Sequence, residues 1–494
     1  MREAATICPN PIARYLDKPA EDFTKQDLVK YIEDREIHMV NFRYVGGDGR
    51  LKTLNFAPNS RKQLDQILSR GERVDGSSLF NWIPPVASDL YVIPRYRTAF
   101  VNPFTDIATI DILCSYYTRE GEPLECAPEN IVRKAHRALQ ETCGLRFEAA
   151  GELEYYLFSE IDQIYPIVEQ KGYHESHPFS KWGAIRREAM HIISQIGGDI
   201  KYGHAEVGNI LHDNWEMVQH EIEFRPTRVE NAADQLVLAK WAVREVAYKY
   251  GLEVSFAPKI IVGHAGSGLH IHMRLMKDGR NMLVDEKGLN DTARKLIGGL
   301  LRLAPSLTAF GNTVPTSFLR LVPHQEAPTK ICWGDRNRSM LIRVPLGWQG
   351  VPGMIADANP KEAPASSTDV HPQTVELRSP DGSANVHQLL AGLAVAARCG
   401  LQDEGMLESA LACYVEADAA QMADCDRLPS SCWEAAEKLA GDRARYQDHG
   451  VFPAYMIDNI LAELRSHEDH ELSEKLYGNA DVLNEIVKAS LHCG

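Results

Sequence analysis

Four short segments of this chain repeat one pattern, polar–apolar–polar, and that pattern leaves little besides strands of a shared sheet. In GELEYYLF, Glu152 and Glu154 flank Leu153, and in HEIEF, Glu221 and Glu223 flank Ile222. In GSGLHIHM, His270 and His272 flank Ile271, and in TVELRSP, Glu376 and Arg378 flank Leu377. Side chains alternate along a strand, so each polar pair projects from one face and its apolar neighbour from the other. One such pair is ordinary for the wet face of an amphipathic strand. Four of them gather glutamates and histidines on a face that like-charge repulsion would penalise unless a cation intervenes. A donor set of carboxylates with imidazole suits Mg²⁺ or Mn²⁺ better than structural zinc.

A second stretch supplies the opposite charge. Ser317 to Pro345 holds Arg320, Lys330, Arg336, Arg338 and Arg343 among Leu, Val, Ile, Met and Trp, with Glu326 and Asp335 as its carboxylates. Leu341, Ile342 and Val344 read as a buried strand around Arg343. Arginines at partly buried positions suit a bidentate grip on phosphate or carboxylate, although internal ion pairs would also account for any single one. Divalent metal beside a polyanion site is the equipment of phosphoryl transfer.

Composition narrows the class. At 494 residues, with 44% hydrophobic and 24% charged, the chain has the length for two to four domains at about 150 residues each. A net charge of −15 argues against nonspecific nucleic-acid binding. Uninterrupted apolar runs fall well short of the roughly 18 residues of a membrane span, and the N-terminus lacks a signal-peptide core. Ten cysteines without a CxxC pair read as reduced thiols, and the expected location is cytoplasmic.

Along the chain, residues 1–22 read as a loose arm and 23–120 as a small strand-rich domain. The latter opens with a helix capped by Thr24, followed by strands Met39–Val45 and Leu51–Phe56 around the turn Gly46–Gly49. Residues 121–494 read as a large α+β domain with helical stretches at Pro128–Thr142, Asn231–Tyr250, Ala384–Cys399 ending at Gly400, and Leu428–Leu439.

Taken in order, the motifs DGSS (Asp75–Ser78), GELEYYLF, HAEV with HEIEF, GSGLHIHM, RLVPHQEAP, RNRS with IRVP, and VELRSPDGSAN resemble those of glutamine synthetase. The resemblance implies an N-terminal β-grasp domain and a catalytic domain built on a curved, mainly antiparallel sheet with helices. It also implies a homo-oligomer of two stacked hexameric rings, with active sites shared between subunits. ATP would be co-substrate, with two or more Mg²⁺ or Mn²⁺ ions per subunit, and glutamate and ammonium or a small amine the other partners. By the family pattern Glu154, Glu206 and Glu221 would hold one metal, and Glu152, His270 and Glu376 the other. His272, Arg338 and Arg343 would meet the nucleotide and its phosphates, and Arg320, Arg378 and the Gly266 backbone the glutamate. Glu326 would close a flap and help deprotonate the nucleophile. Asp75 from the adjacent subunit would join Tyr173, Ser78 and Glu206 around ammonium.

The chain also departs from the pattern. It carries extra residues between Glu206 and Glu221, in GNILHDNWEM, where His212, Trp215 and Glu216 could reshape the nucleophile pocket or form a surface loop. Ala265 replaces the family asparagine, Arg274 replaces a family serine, and Gly350–Pro372 is a long irregular loop. Three readings stay open: glutamine synthetase, a γ-glutamyl ligase acting on an organic amine such as a polyamine or ethanolamine, and a catalytically silent homologue.

Overall fold

A computed structural model describes residues 8–322, 327–347, 353–363, 370–416, 422, 424–470, 472 and 480–494. Two sheets organise these residues, and the expected α+β architecture is there. The first contains β1 (Met39–Val45), β2 (Leu51–Phe56), β3 (Glu72–Asp75), β4 (Asp89–Pro94), β5 (Phe100–Val101) and β6 (Thr109–Thr118). Its order is β2-β1-β6-β4-β3, with β5 beside β6. β1 runs parallel to β6 and antiparallel to β2, the mixed pairing expected of the β-grasp unit. Thr24 caps the helix Lys25–Asp34 through a reciprocal box with Asp27. Residues 8–22 are not a loose arm: helix Pro11–Leu16 buries Ile12 completely in the core.

The second sheet carries β7 (Arg146–Glu160), β8 (Ile200–His212), β9 (Trp215–Phe224), β10 (Thr227–Arg228), β11 (Glu253–Ser255), β12 (Leu269–Lys277) and β13 (Arg280–Asn281). A small hairpin of β14 (Val284–Asp285) and β15 (Gly288–Leu289) stands apart, and β16 (Trp333–Asp335), β17 (Ile342–Val344) and β18 (Val375–Leu377) complete the sheet. Its order is β16-β17-β18-β12-β7-β9-β8, antiparallel except for β16 with β17. Helices Pro128–Cys143, Val229–Lys249, Asp291–Gly311 and Val386–Gln402 add fully buried apolar residues to the same core.

Two expectations change here. The last of these helices runs through Gly400 to Gln402. That glycine does not end the helix; it lets two helices touch, because a Cβ there would collide with the Lys295 carbonyl and crowd Gly299. The extra residues after Glu206 are strand rather than surface loop. β8 and β9 pair out to His212 and Trp215, with a register shift between Ala205 and Asn209 that marks a bulge at Glu206–Gly208. The first unit is tied to the second by Arg95, which grips Asp234 of helix Val229–Lys249 at 2.7 and 3.0 Å. Residues 350–352 and 364–369 of the long loop lie outside the described residues, while Met354–Ala358 is a short helix. No described helix is long and apolar enough to cross a membrane, and all ten cysteines are free.

Candidate active site

Register turns the four sequence pairs into one constellation. His270 on β12 lies across from Glu152 on β7, which lies across from Glu223 on β9 and then Tyr202 on β8. One step along, Glu154 faces Glu221, and Glu221 faces His204. On the other flank Arg343 faces Glu376, and Glu376 faces His272. Residues directly opposite in neighbouring strands project to the same side, so the rows merge on one face. That face floors a cavity of about 850 Å³. Arg320 and Arg338 also line the cavity, with Arg343 from β17 and Arg378 from the segment after β18.

Two donor groups stand out on the floor. Ligand atoms of Glu152, His272 and Glu376 lie within 4.8 Å of one another, as do those of His204, Glu206 and Glu221. Glu152 Oε1 meets His272 Nε2 at 2.7 Å, and its Oε2 meets His270 Nδ1 at 2.8 Å. His270 Nδ1 is also 3.6 Å from Glu376, so both imidazoles border the group of Glu152 and Glu376. Glu154 Oε2 accepts the Gly268 amide at 2.7 Å and the Gln219 amide at 3.2 Å. Gly266 lines the cavity, where a side chain would clash with the Pro258 carbonyl.

The electrostatics are those of a crowded acidic floor met by cations. Burial raises the Glu221 carboxyl well above its ordinary value, and Glu152, Glu154, Glu206 and Glu223 push it further. Glu154 is raised by burial and by Glu206, against the pull of His270. Burial would raise Glu152 as well, but His272 and His270 hold it well below the usual carboxylate range. Glu376 is completely buried, and Arg343 at 2.9 Å and Arg378 at 2.6 Å neutralise it. Clustered carboxylate oxygens with an imidazole in each group, and repulsion left uncompensated at Glu221, fit hard divalent cations such as Mg²⁺ or Mn²⁺. Arg320 is only 4% exposed, donates to the Ser379 carbonyl at 2.8 Å and approaches His270 at 3.4 Å.

The remaining expected residues divide. Tyr173 lines the cavity, stacks on His174 at 4.3 Å and hydrogen-bonds Arg338. Asp75 is not among the lining residues. It is exposed at the end of β3, where the Ser77 and Ser78 hydroxyls donate to it at 2.7 and 2.8 Å. Glu326 lies outside the described residues. His212, Trp215 and Glu216 do not line the cavity; Glu216 is buried beside Ser159, 3.2 Å away. Arg274 binds Glu148 at 2.7 Å, away from the lining. Sequence reasoning missed Lys201, Tyr202, His204 and Lys259, all of which line the cavity. His204 had a signal, since it stands two residues before Glu206.

The comparisons with known proteins bear on the family and the fold. The family model described as the glutamine synthetase catalytic domain matches residues 125–477, and the one described as the glutamine synthetase β-grasp domain matches 36–119. A glutamine synthetase of Pyrococcus horikoshii is 31% identical over 419 residues, covering 83% of this chain and 86% of that protein. One from Nostoc sp. is 29% identical over 475 residues, covering 89% and 94%. Among solved structures, Plasmodium falciparum glutamine synthetase superposes with a TM-score of 0.74 at 18% identity over 91% of this chain and 97% of that one. A protein described as GmaS, also solved with ADP, gives 0.72 at 19% identity over 92% and 99%; at such identities the likeness speaks for the fold alone. Two domain models matched in chain order over most of the length, with a relative above 30% identity, place the chain in the glutamine synthetase family of ligases.

Proposed function

We propose that the protein forms glutamine from glutamate and ammonia at the expense of ATP. The observation that carries this is the merged row of carboxylates and imidazoles sharing one cavity with four arginines. Glutamate's γ-carboxylate is a poor electrophile, so its oxygen first takes the γ-phosphoryl group of ATP, releasing ADP and leaving γ-glutamyl phosphate. Ammonia then attacks the acyl carbon, phosphate departs, and the nitrogen loses a proton to give the amide.

Each part of the site has work in this scheme. Arg320 and Arg378, held by backbone carbonyl and Glu376 respectively, clamp the glutamate carboxylate with the Gly266 backbone beside it. Arg338 and Arg343 stabilise charge on the transferring phosphoryl group, and His272 approaches the nucleotide. Glu154, Glu206 and Glu221, and Glu152, Glu376 and a neighbouring imidazole, His270 or His272, would hold Mg²⁺ or Mn²⁺, which would supply charge neutralisation to phosphate oxygens. Glu206 and Tyr173, with Asp75 and Ser78 from an adjacent subunit of a stacked-ring oligomer, hold ammonium and draw off its proton. Glu326 closes the site against water and serves as base. A cytoplasmic location goes with the reading, and the ADP complex of a fold neighbour supports the nucleotide.

A second reading has a specific observation in its favour. A smaller cavity of about 240 Å³, lined in part by His174, Ser180, Arg186 and Arg187, shares His204 with the first. It offers room beside Glu206 for the carbon chain of an organic amine, so selectivity would reside at 173–174 and 204 rather than at 209–218. The test is phosphate release from ATP with glutamate and Mg²⁺, comparing ammonium with a panel of primary amines. Response to millimolar ammonium supports glutamine synthesis, response only to an amine supports the second reading, and silence with every nucleophile sinks both.

A further inference from the structure

His204 is more than a wall residue. Its Nδ1–H donates to the Ala205 carbonyl at 3.0 Å, which makes Nε2 the lone-pair nitrogen. Nε2 lies 3.7 Å from Glu221 Oε2, and Nδ1 lies 3.7 Å from Glu206 Oε2. Ligand atoms bound at about 2.1 Å to one ion sit about 3 Å apart when adjacent and about 4 Å apart when opposite. The His204–Glu221 separation falls between those limits.

The ring is held in that attitude. His174 packs against it at 4.3 Å, Tyr173 meets it edge-on at 5.4 Å, and Tyr202 lies at 5.9 Å. A backbone carbonyl on one ring nitrogen, the Glu221 carboxylate near the other and aromatic neighbours fixing the plane are the surroundings that orient a metal-binding histidine. Glu154, the third carboxylate expected at this group, has Oε2 engaged by the Gly268 and Gln219 amides.

We propose that His204 Nε2 is a ligand of the divalent metal held by Glu206 and Glu221, and that it tilts this site toward Mn²⁺ over Mg²⁺. The inference rests on the metal-dependent reading above, but not on which nucleophile is used. Imidazole nitrogen gains more from a transition-metal ion than from Mg²⁺, which favours oxygen ligands and keeps its waters. An all-carboxylate site would discriminate less between the two ions.

The test is metal binding to the purified full chain without substrates. Free Mn²⁺ is followed by EPR and Mg²⁺ by calorimetry, for wild type, His204→Ala and His204→Gln. Mn²⁺ affinity at this site should fall about 10-fold or more in both variants, the size of loss typical when a ligand's support is removed. Mg²⁺ affinity should change much less, and pulsed EPR of bound Mn²⁺ should lose one nitrogen coupling. Unchanged Mn²⁺ affinity with the coupling retained overturns the proposal. So does an equal loss of both ions, which would mark His204 as a packing residue. Metal binding as expected without ligase activity would refute the proposed function and leave this assignment standing.

Discussion

Replacing Glu221 with Gln should stabilise the metal-free protein and remove most of what metal adds. Glu221 is 6% exposed, and its ligand oxygen lies within 4.8 Å of those of Glu152 and Glu223. Two unit charges 4.8 Å apart repel by about 3.5 kcal/mol at an effective dielectric of about 20. The raised proton affinity of the Glu221 carboxyl, caused by burial and these neighbours, relieves part of this, and Glu223 is shared with Lys201 at 2.6 Å. The isosteric amide should therefore gain about 1–3 kcal/mol when no metal is present. At about 1 °C per kcal/mol for a chain of this length, that is a rise in Tm of about 1–3 °C. Metal acts the other way: an ion at a hundred times its Kd adds about 2.7 kcal/mol to the protein that binds it. Scanning calorimetry at one scan rate, with chelator and with excess Mg²⁺, should show the variant above wild type in the first and close to or below it in the second. A variant that melts lower than wild type in chelator would show that contacts of the carboxylate outweigh the repulsion. Equal gains from Mg²⁺ would remove Glu221 from the metal group.

Asp234→Ala should cost about 3–5 kcal/mol in chemical denaturation, because the largely covered Arg95 guanidinium loses the carboxylate it is ion-paired with. Burial would raise Asp234, but Arg95 and His387 hold its carboxyl well below the ordinary value, so its contribution is present above about pH 4 and lost as pH falls further. Lys240, buried against the Gly382 carbonyl at 2.7 Å, has its pKa brought down to about 7, mainly by burial. The unfolded chain keeps that proton up to pH ~10.4, so stability should rise by about 1.4 kcal/mol per pH unit between about 7 and 10, and Lys240→Met should flatten the slope. Glu326→Ala should keep ATP binding and lose most product formation; turnover near wild type would unseat it as flap and base.

Legibility followed period. The alternation at Glu152/Glu154, Glu221/Glu223 and His270/His272 marks strands and their polar faces because a strand's period is two. The cap at Thr24 and the turn Gly46–Gly49 were equally local and equally readable. Partners were not local: nothing in the chain near Glu221 says that it faces Glu154 rather than Glu152, since register is set by the whole sheet. Tyr202 and His204 sit on β8 just before the bulge at Glu206–Gly208, where the alternation breaks and its signal is lost. Gly400 was misread because a glycine that ends a helix and one that admits a neighbouring helix look alike in sequence.

The same sheet explains how such a floor can exist at all. Five carboxylates that repel one another would move apart if loops carried them. Here Glu152, Glu154, Glu221, Glu223 and Glu376 are fixed by ladder hydrogen bonds on β7, β9 and β18, strands whose opposite faces pack Leu153, Ile222 and Leu377 at zero exposure. Losing one of those apolar contacts costs about 2–5 kcal/mol, the same scale as the roughly 3.5 kcal/mol repulsion between neighbouring carboxylates. The apolar residues between the acids therefore hold the site together as firmly as the acids pull it apart. Truncating Leu153 to Ala should loosen metal affinity although that side chain never meets the cavity. If metal affinity in that variant is unchanged while its stability drops, the acidic face is rigid without its core, and packing does not set the spacing of the charges.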